Sequence, residues 1–201
     1  MILDITVYTQ ELSDNLIPKM QARLNEFEMA CEIHPEFSFF DQNGFLPFKF
    51  QLTNPPFDIL RNKTLTTGFE LFINKFDLAE AKNKRKPGLL NRLLQKKQTT
   101  QPLVTDEIDG RLTVCKYGVN FVWHGVDSFE LRFASLTSAI LTELTNGVCT
   151  YSQDIWYINE NLVENVWREI KEYETSILKE KDFKFHELKI GELYIHRRRC
   201  G

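Results

Sequence analysis

Several short segments of the sequence alternate apolar with polar residues, and tight turns separate some of them. In residues 67–76, Phe69, Leu71 and Ile73 occupy alternate positions, which places them on one side of an extended strand. An Asn-Gly pair at the end of Asp41–Gly44 readily adopts the positive φ angles of a hairpin turn. Because strands joined by such short turns must run antiparallel, this pattern favours a largely antiparallel sheet over a doubly wound parallel one.

The same period of two, and a period of three to four, predict the other elements. The predicted strands are residues 2–8, 30–40, 45–52, 67–76, 111–124, 127–133, 148–151, 155–158 and 183–196. The predicted helices are residues 15–27, 135–146 and 160–180, with Asn15 and Ser135 as N-caps and Asn146-Gly147 as a left-handed stop. In 127–133 it is the alternation of Phe129, Leu131 and Phe133 with charged residues that predicts a half-buried strand.

Together these elements predict an α+β fold, with a largely antiparallel sheet and helices packed on one face. Strand–helix–strand units in both halves would also suit two ferredoxin-like halves. A chain of 201 residues fits a single globular unit, residues 1–201. Composition suggests halves 1–77 and 106–201, joined by a basic connector at residues 78–105.

Charge and hydropathy exclude several classes of protein. The net charge of -3 gives no overall electrostatic case for binding nucleic acid. The N-terminus has no signal-peptide pattern, and no apolar stretch approaches the length of a membrane span. The four cysteines are widely scattered, which is typical of reduced, buried thiols. We therefore expect a cytoplasmic protein with no membrane segment.

Metal and cofactor motifs are weak or absent. There is no Gly-x-Gly-x-x-Gly and no phosphate-binding loop. Cys31 and His34, combined with His196 and Cys200, supply ligand types that zinc accepts. However, residues three apart in a strand point to opposite faces, so Cys31 and His34 cannot share one ion if that segment is a strand. We expect no metal and no cofactor.

The segment from His124 to Ser128 places His, Asp and Ser within five residues. A catalytic triad is assembled by the fold, so closeness in sequence does not support one. The segment reads more simply as a turn, with Gly125 making the bend. His124, Asp127 and Glu130 are the candidates for an alternative function, a small hydrolase or transferase whose site is assembled from dispersed residues.

Two charged surfaces could bind a partner, although a soluble connector and a solvated helix face are the simpler explanations of them. The basic candidates are Lys84, Arg85, Lys86, Arg92, Lys96 and Lys97, and the acidic candidates on the last helix are Glu164, Glu169 and Glu172. Base stacking needs aromatic residues among the charges, and residues 77–116 contain none, which argues against single-stranded nucleic acid.

The stretch from Leu136 to Val148, followed by Tyr151-Ser152-Gln153 and Trp156, resembles a motif in small uncharacterised bacterial α+β proteins. In those proteins a helix ends in Leu-Thr-x-Gly and enters a strand followed by an Asp-Pro-Gln-like turn, whereas this chain has Ser152-Gln153-Asp154. The resemblance implies a ferredoxin-like half and no functional residues.

In general character the chain is also similar to bacterial immunity proteins. We expect a non-enzymatic protein-binding protein, of the immunity or antitoxin-like kind that occludes a toxin, with a homodimer allowed.

Overall fold

The computed structural model describes residues 3–40, 44–84, 105–151, 155–158 and 161–188. The strands are β1 Leu3–Thr9, β2 Met29–Ile33, β3 Gly44–Leu52, β4 Leu65–Lys75, β5 Tyr117–Trp123, β6 Val148–Tyr151, β7 Ile155–Tyr157 and β8 His186–Glu187. The helices are α1 Leu16–Leu24, α2 Leu78–Lys84, α3 Asp106–Val114, α4 Glu130–Thr145 and α5 Leu162–Glu172, and a π-helical turn, Tyr173–Ile177, continues α5.

All described strands belong to one sheet, and every pairing in it is antiparallel. The order is β2-β3-β4-β5-β1-β6-β7, and β8 pairs with the first residues of β4. The first strand therefore lies between two strands from the second half of the chain. The predicted α+β class and antiparallel sheet are confirmed.

The central helix α4 packs across β1, β4, β5 and β6, and α1 and α5 flank it on the same face. Phenylalanine rings also pack between α4 and β3. The Phe133 centroid lies 4.6 Å from that of Phe48 and 4.7 Å from that of Phe50, and Phe129 lies 4.9 Å from Phe50. Each ring removes a large apolar area from water, and tilted pairs at these distances add favourable quadrupole contacts.

The predicted strand at residues 127–133 is wrong, because α4 begins at Glu130. Ser135 is consequently not a cap but a buried residue inside the helix. Phe129 and Phe133 are four residues apart, so they lie on one face of a helix as well as on one side of a strand. The C-terminal stop is confirmed, since Asn146 adopts a left-handed conformation with φ of 48° and ψ of 39°.

Other boundaries also differ from the sequence-based expectation. Residues 106–114 form α3, so the predicted strand 111–124 shrinks to β5. Asn15 precedes α1 without a side-chain capping bond. The predicted hairpin exists, with Ile33 opposite Phe48, but its first strand ends at Ile33 and leaves a longer connection than expected.

The outer edge of β2 is capped by one side chain from α1 and one from the residue that follows it. The Cys31 N–H donates to Asn25 Oδ1 at 2.6 Å, and the Ile33 N–H donates to Gln21 Oε1 at 3.0 Å. An edge strand with free N–H groups is a template for pairing with another chain. The side-chain amides of Gln21 and Asn25 therefore protect this edge of the sheet from pairing with a strand of another chain.

The described residues cover only part of the second face of the sheet. Helix α3 packs there at one corner, where Ile108 and Leu112 join Val148, Tyr8 and Trp156 in a small second core. The rest of this face, on the side of the sheet opposite α4, is called the open face. No helix among the described residues is long and apolar enough to span a membrane.

A buried ion pair fixes α4 against the turn that follows α5. Arg132 Nε donates to Glu174 Oε1 at 2.8 Å, and its Nη2 donates to the second carboxylate oxygen. Arg132 is 1% exposed, and its guanidinium also lies 5.2 Å from the centre of the Trp167 ring. Substitution of either partner of so deeply buried a pair destabilises the fold, because the remaining charge is left without compensation.

Substituting Gly68 should destabilise the sheet. A Cβ at this position would lie 2.5 Å from the backbone oxygen of Leu46 and 2.4 Å from the Phe45 ring. We expect Gly68→Ala to lower the free energy of unfolding by about 1–3 kcal/mol in urea denaturation. Gly110→Ala is the control, since nothing lies within 4 Å of its Cβ position inside α3, and we expect equal or higher stability. Equal losses in both variants would contradict this account.

Removing one partner of the buried pair should cost more than removing one partner of an exposed pair. We expect Arg132→Met to lower the free energy of unfolding by about 3–5 kcal/mol, and the double variant Arg132→Met/Glu174→Leu to recover most of the loss. Lys49→Met breaks the exposed pair with Glu32 and should cost about 1 kcal/mol or less. A double variant no more stable than the single one would show that the pair itself stabilises the fold.

Candidate functional site: the His124–Glu130 loop and the open face

The loop after β5 and the first residue of α4 contain all three catalytic candidates that the sequence suggested. Gly125 makes the bend with φ of 70°, a conformation that favours glycine. The Asp127 carboxylate accepts hydrogen bonds from the N–H groups of Phe129 at 2.7 Å and Glu130 at 3.1 Å. The Thr67 hydroxyl donates to the same carboxylate at 2.9 Å. Asp127 thus satisfies two backbone N–H groups at the start of α4 and ties this end of the helix to β4.

The Glu130 carboxylate folds back onto the same loop. It accepts from the N–H groups of His124 at 2.9 Å, Gly125 at 2.7 Å and Val126 at 3.1 Å. Its position in the first turn of α4 also places it at the positive end of the helix dipole. Three backbone donors and the dipole stabilise a carboxylate that is only 6% exposed.

Burial raises the pKa of Asp127 above its ordinary value. The bonds from Phe129 and Thr67 oppose this shift, and the neighbouring charge of Glu130 adds to it. A raised carboxyl pKa is found in general acids, but such an acid must also reach a substrate. Both Asp127, which is 7% exposed, and Glu130 direct their oxygens at backbone N–H groups of their own loop. This arrangement supports a structural role for both carboxylates.

His124 differs from the other two candidates because its side chain is exposed. Its Nε2 lies 3.4 Å from Glu70 Oε2 on the neighbouring strand β4. A His–carboxylate pair can move protons only if a pocket holds a substrate beside it. A shallow cavity of about 240 Å³ lies over Ala30, Glu32, Lys49 and Gln51, and none of the three candidates lines it.

His124 and Glu70 belong to an exposed part of the open face. Strand register places Phe45 opposite Glu70, Glu70 opposite Val122, and Val122 opposite Asp4, so one row crosses β3, β4, β5 and β1. Phe72 is the next residue of β4 on this face. We call six residues the open-face patch: Asp4, Phe45, Glu70, Phe72, Val122 and His124.

Two phenylalanine rings are exposed in this patch. Phe45 is 51% exposed and Phe72 is 37% exposed, although other phenylalanines of the same strands, such as Phe48, Phe50 and Phe69, are fully buried. The Phe45 ring lies over Gly68, where a side chain would collide with it. The absence of a Cβ at Gly68 therefore makes room for the Phe45 ring.

The predicted acidic residues on α5 differ in their surroundings. Glu164 pairs with Arg23, and this hydrogen bond lowers the pKa of Glu164. Arg23 also pairs with Glu143 and Glu26, so this network ties α1, α4 and α5 together. Glu169 and Glu172 are exposed. Of the predicted basic residues, Lys84 ends α2, and Arg85, Lys86, Arg92, Lys96 and Lys97 lie outside the described residues.

No group of three or more potential metal ligands occurs among the described residues. Cys31 is a buried residue of β2, whereas His34 follows the end of that strand and is half-buried. His196 and Cys200 lie outside the described residues. Burial raises the pKa of the Cys31 and Cys149 thiols to about 12 and that of Cys115 to about 11, so these thiols stay protonated near neutral pH.

Comparisons with known proteins give no family: no family model matches the sequence, and neither the curated proteins nor the solved structures include a significantly similar one.

Sequence reasoning missed the open-face patch. In β4 the period of two places Glu70 and Phe72 opposite to Phe69 and Leu71, so an apolar residue on the polar side was a visible signal. The Arg132–Glu174 pair gave no such signal, because its partners are 42 residues apart. Asp127 and Glu130 come together with the backbone N–H of His124 through local loop hydrogen bonds, whereas the His124 side chain lies beside Glu70.

The raised pKa of Asp127 predicts a specific pH dependence. The folded protein holds this proton more tightly than the unfolded chain, so stability due to Asp127 falls as pH rises from its ordinary pKa through its folded pKa. We expect the stability of the natural protein relative to Asp127→Asn to be lower at about pH 7 than at about pH 4 in urea denaturation. Asp182→Asn, at an exposed position, is the control. The same pH profile in both comparisons would contradict the assignment.

Proposed function

We propose that this protein is a non-enzymatic protein-binding protein and that it binds its partner through the open-face patch. The observation that carries the proposal is the exposure of Phe45 and Phe72 on the same face of two neighbouring strands. Burying the exposed parts of both rings against a partner would contribute on the order of 4 kcal/mol. Aromatic residues are enriched in protein interfaces because they bury a large area with little loss of rotamer freedom.

The loop beside the patch supports binding rather than catalysis. Asp127 and Glu130 hold the start of α4 and the end of β5, so they give the neighbouring strand surface a fixed shape. A preorganised surface loses little conformational entropy on binding. The capped edge of β2 also supports the proposal. Because its N–H groups are occupied, the face of the sheet is more accessible to a partner than that edge.

The finer expectations from the sequence stay predictions. These are the immunity or antitoxin-like role, the bacterial origin, the cytoplasmic location, the homodimer, and a partner for the basic residues from Lys84 to Lys97. The acidic surface of α5 lies on the α4 side of the sheet, so a partner of Glu169 and Glu172 would occupy a different surface from that of the patch.

Quantitative affinity capture tests the proposal. The natural protein is compared with Phe45→Thr/Phe72→Thr, which keeps β-propensity but removes both rings. The control is Ile59→Thr/Val114→Thr, because Ile59 and Val114 are 48% and 53% exposed outside the patch. We expect the patch variant to capture at least about tenfold less of a stoichiometric protein partner, and the control to capture as much as the natural protein.

Circular dichroism and urea denaturation first establish that both variants are folded. Equal capture by the natural protein and the patch variant would reject the open-face patch as the binding surface. Equal loss in both variants would reject it as well, since the effect would not be specific to the patch.

A further inference from the structure

The open-face patch combines an exposed aromatic ring and carboxylates in one row across four strands. Phe45 on β3 is directly opposite Glu70 on β4, and Asp4 lies two strands further along, beyond Val122. Directly opposite residues in an antiparallel pair have Cβ atoms about 5 Å apart. A single side chain from a partner can therefore contact the ring and the Glu70 carboxylate together.

Phe45 is the aromatic residue that the patch offers to a partner. The tip of its ring lies over Gly68, where no Cβ separates it from the backbone, and about half of the residue remains exposed. An exposed aromatic ring can accept a planar group or a cation on its face, because the ring face carries partial negative charge.

The negative charge of the patch favours a ligand that carries positive charge. Asp4 and Glu70 contribute two carboxylates, and the patch contains no lysine or arginine. His124 approaches Glu70 at 3.4 Å, which leaves Asp4 and part of Glu70 to attract a cation. The net charge of the whole chain, -3, has the same sign. A phosphate or carboxylate would be repelled, whereas a basic side chain would be attracted.

We infer that the partner presents an arginine side chain to the open-face patch, where its guanidinium stacks on Phe45 and pairs with the Glu70 carboxylate. This inference rests on the proposed protein-binding function and names the chemistry of the partner. A guanidinium is planar, so it can stack on a ring while its N–H groups bond a carboxylate at the edge. The ammonium group of lysine is a compact point charge and gains less from this geometry.

The carboxylates on α5 provide the internal comparison. Glu164 already pairs with Arg23 of the same chain, which shows that this surface satisfies part of its own charge. Glu172 is exposed on that helix, so Glu172→Gln removes one carboxylate without touching the patch. This variant separates recognition by the patch from general attraction of cations to an acidic protein.

The test is a nuclear magnetic resonance titration of the full-length, ¹⁵N-labelled protein. The probes are two blocked peptides, Gly-Arg-Gly-Arg-Gly and its lysine counterpart. We expect the amide signals of Gly68, Glu70 and Val122 to shift, with the arginine peptide binding about threefold or more tightly than the lysine peptide. Added salt should weaken both interactions.

Three variants locate the interaction. Glu70→Gln should weaken binding of the arginine peptide about threefold or more, and Phe45→Leu should abolish the preference for arginine over lysine. Glu172→Gln should leave both affinities unchanged. Equal affinities for the two peptides, shifts on α5 instead of the patch, or no shift at all would each overturn the inference.

The two proposals fail in different ways. If Phe45→Thr/Phe72→Thr loses a captured protein but the arginine peptide shows no preference at the patch, protein binding stands and arginine recognition is wrong. If capture does not depend on the patch, the proposed function is wrong whatever the peptides do.

Discussion

The packing of α4 on the sheet is the contact on which the other parts of the structure depend. Phe129 and Phe133 insert between rings contributed by β3, and Phe69 and Phe121 extend the same layer across β4 and β5. Interiors of this kind are close-packed, so the position of the helix is fixed to within a fraction of a side chain. Charged residues then lie at the start of α4 and on the side of α4 that faces the π-helical turn after α5.

The charged residues around α4 are largely used to hold it in place. At its start, Asp127 and Glu130 satisfy backbone N–H groups that would otherwise have no partner in the folded chain. On its outer side, Arg132 and Glu174 form a buried pair with α5's π-helical extension. These residue types also occur in active sites, but here each carboxylate oxygen has a structural partner, which is why they support the fold more directly than they support chemistry.

The two faces of the sheet are treated differently by the same strands. On one face, residues such as Leu71 and Val119 are covered by α4. On the other face, Phe45 and Phe72 remain exposed next to Glu70. Leaving two rings in contact with water gives the free protein no stability, and aromatic rings are enriched in the surfaces through which proteins bind one another. The asymmetry of the sheet is therefore the main structural support for a binding function.

The sequence by itself determined the strands whose period is unambiguous and the ends marked by special backbone conformations. The alternation in β4 and the left-handed Asn146 were both readable, because side-chain alternation and positive φ depend on neighbouring residues alone. In 127–133 the sequence misled, since Phe129 and Phe133 suit a strand and a helix equally.

Only the tertiary structure decided the rest. The pairing of Arg132 with Glu174, the order of the strands, and which face α4 covers all join residues far apart in the chain. Phe72 shows the limit most clearly. Its position on the polar side of β4 was visible in the sequence, but its exposure depends on which helices cover that face. Local periodicity carries no information about such distant contacts, because they are set by which apolar faces can be buried together.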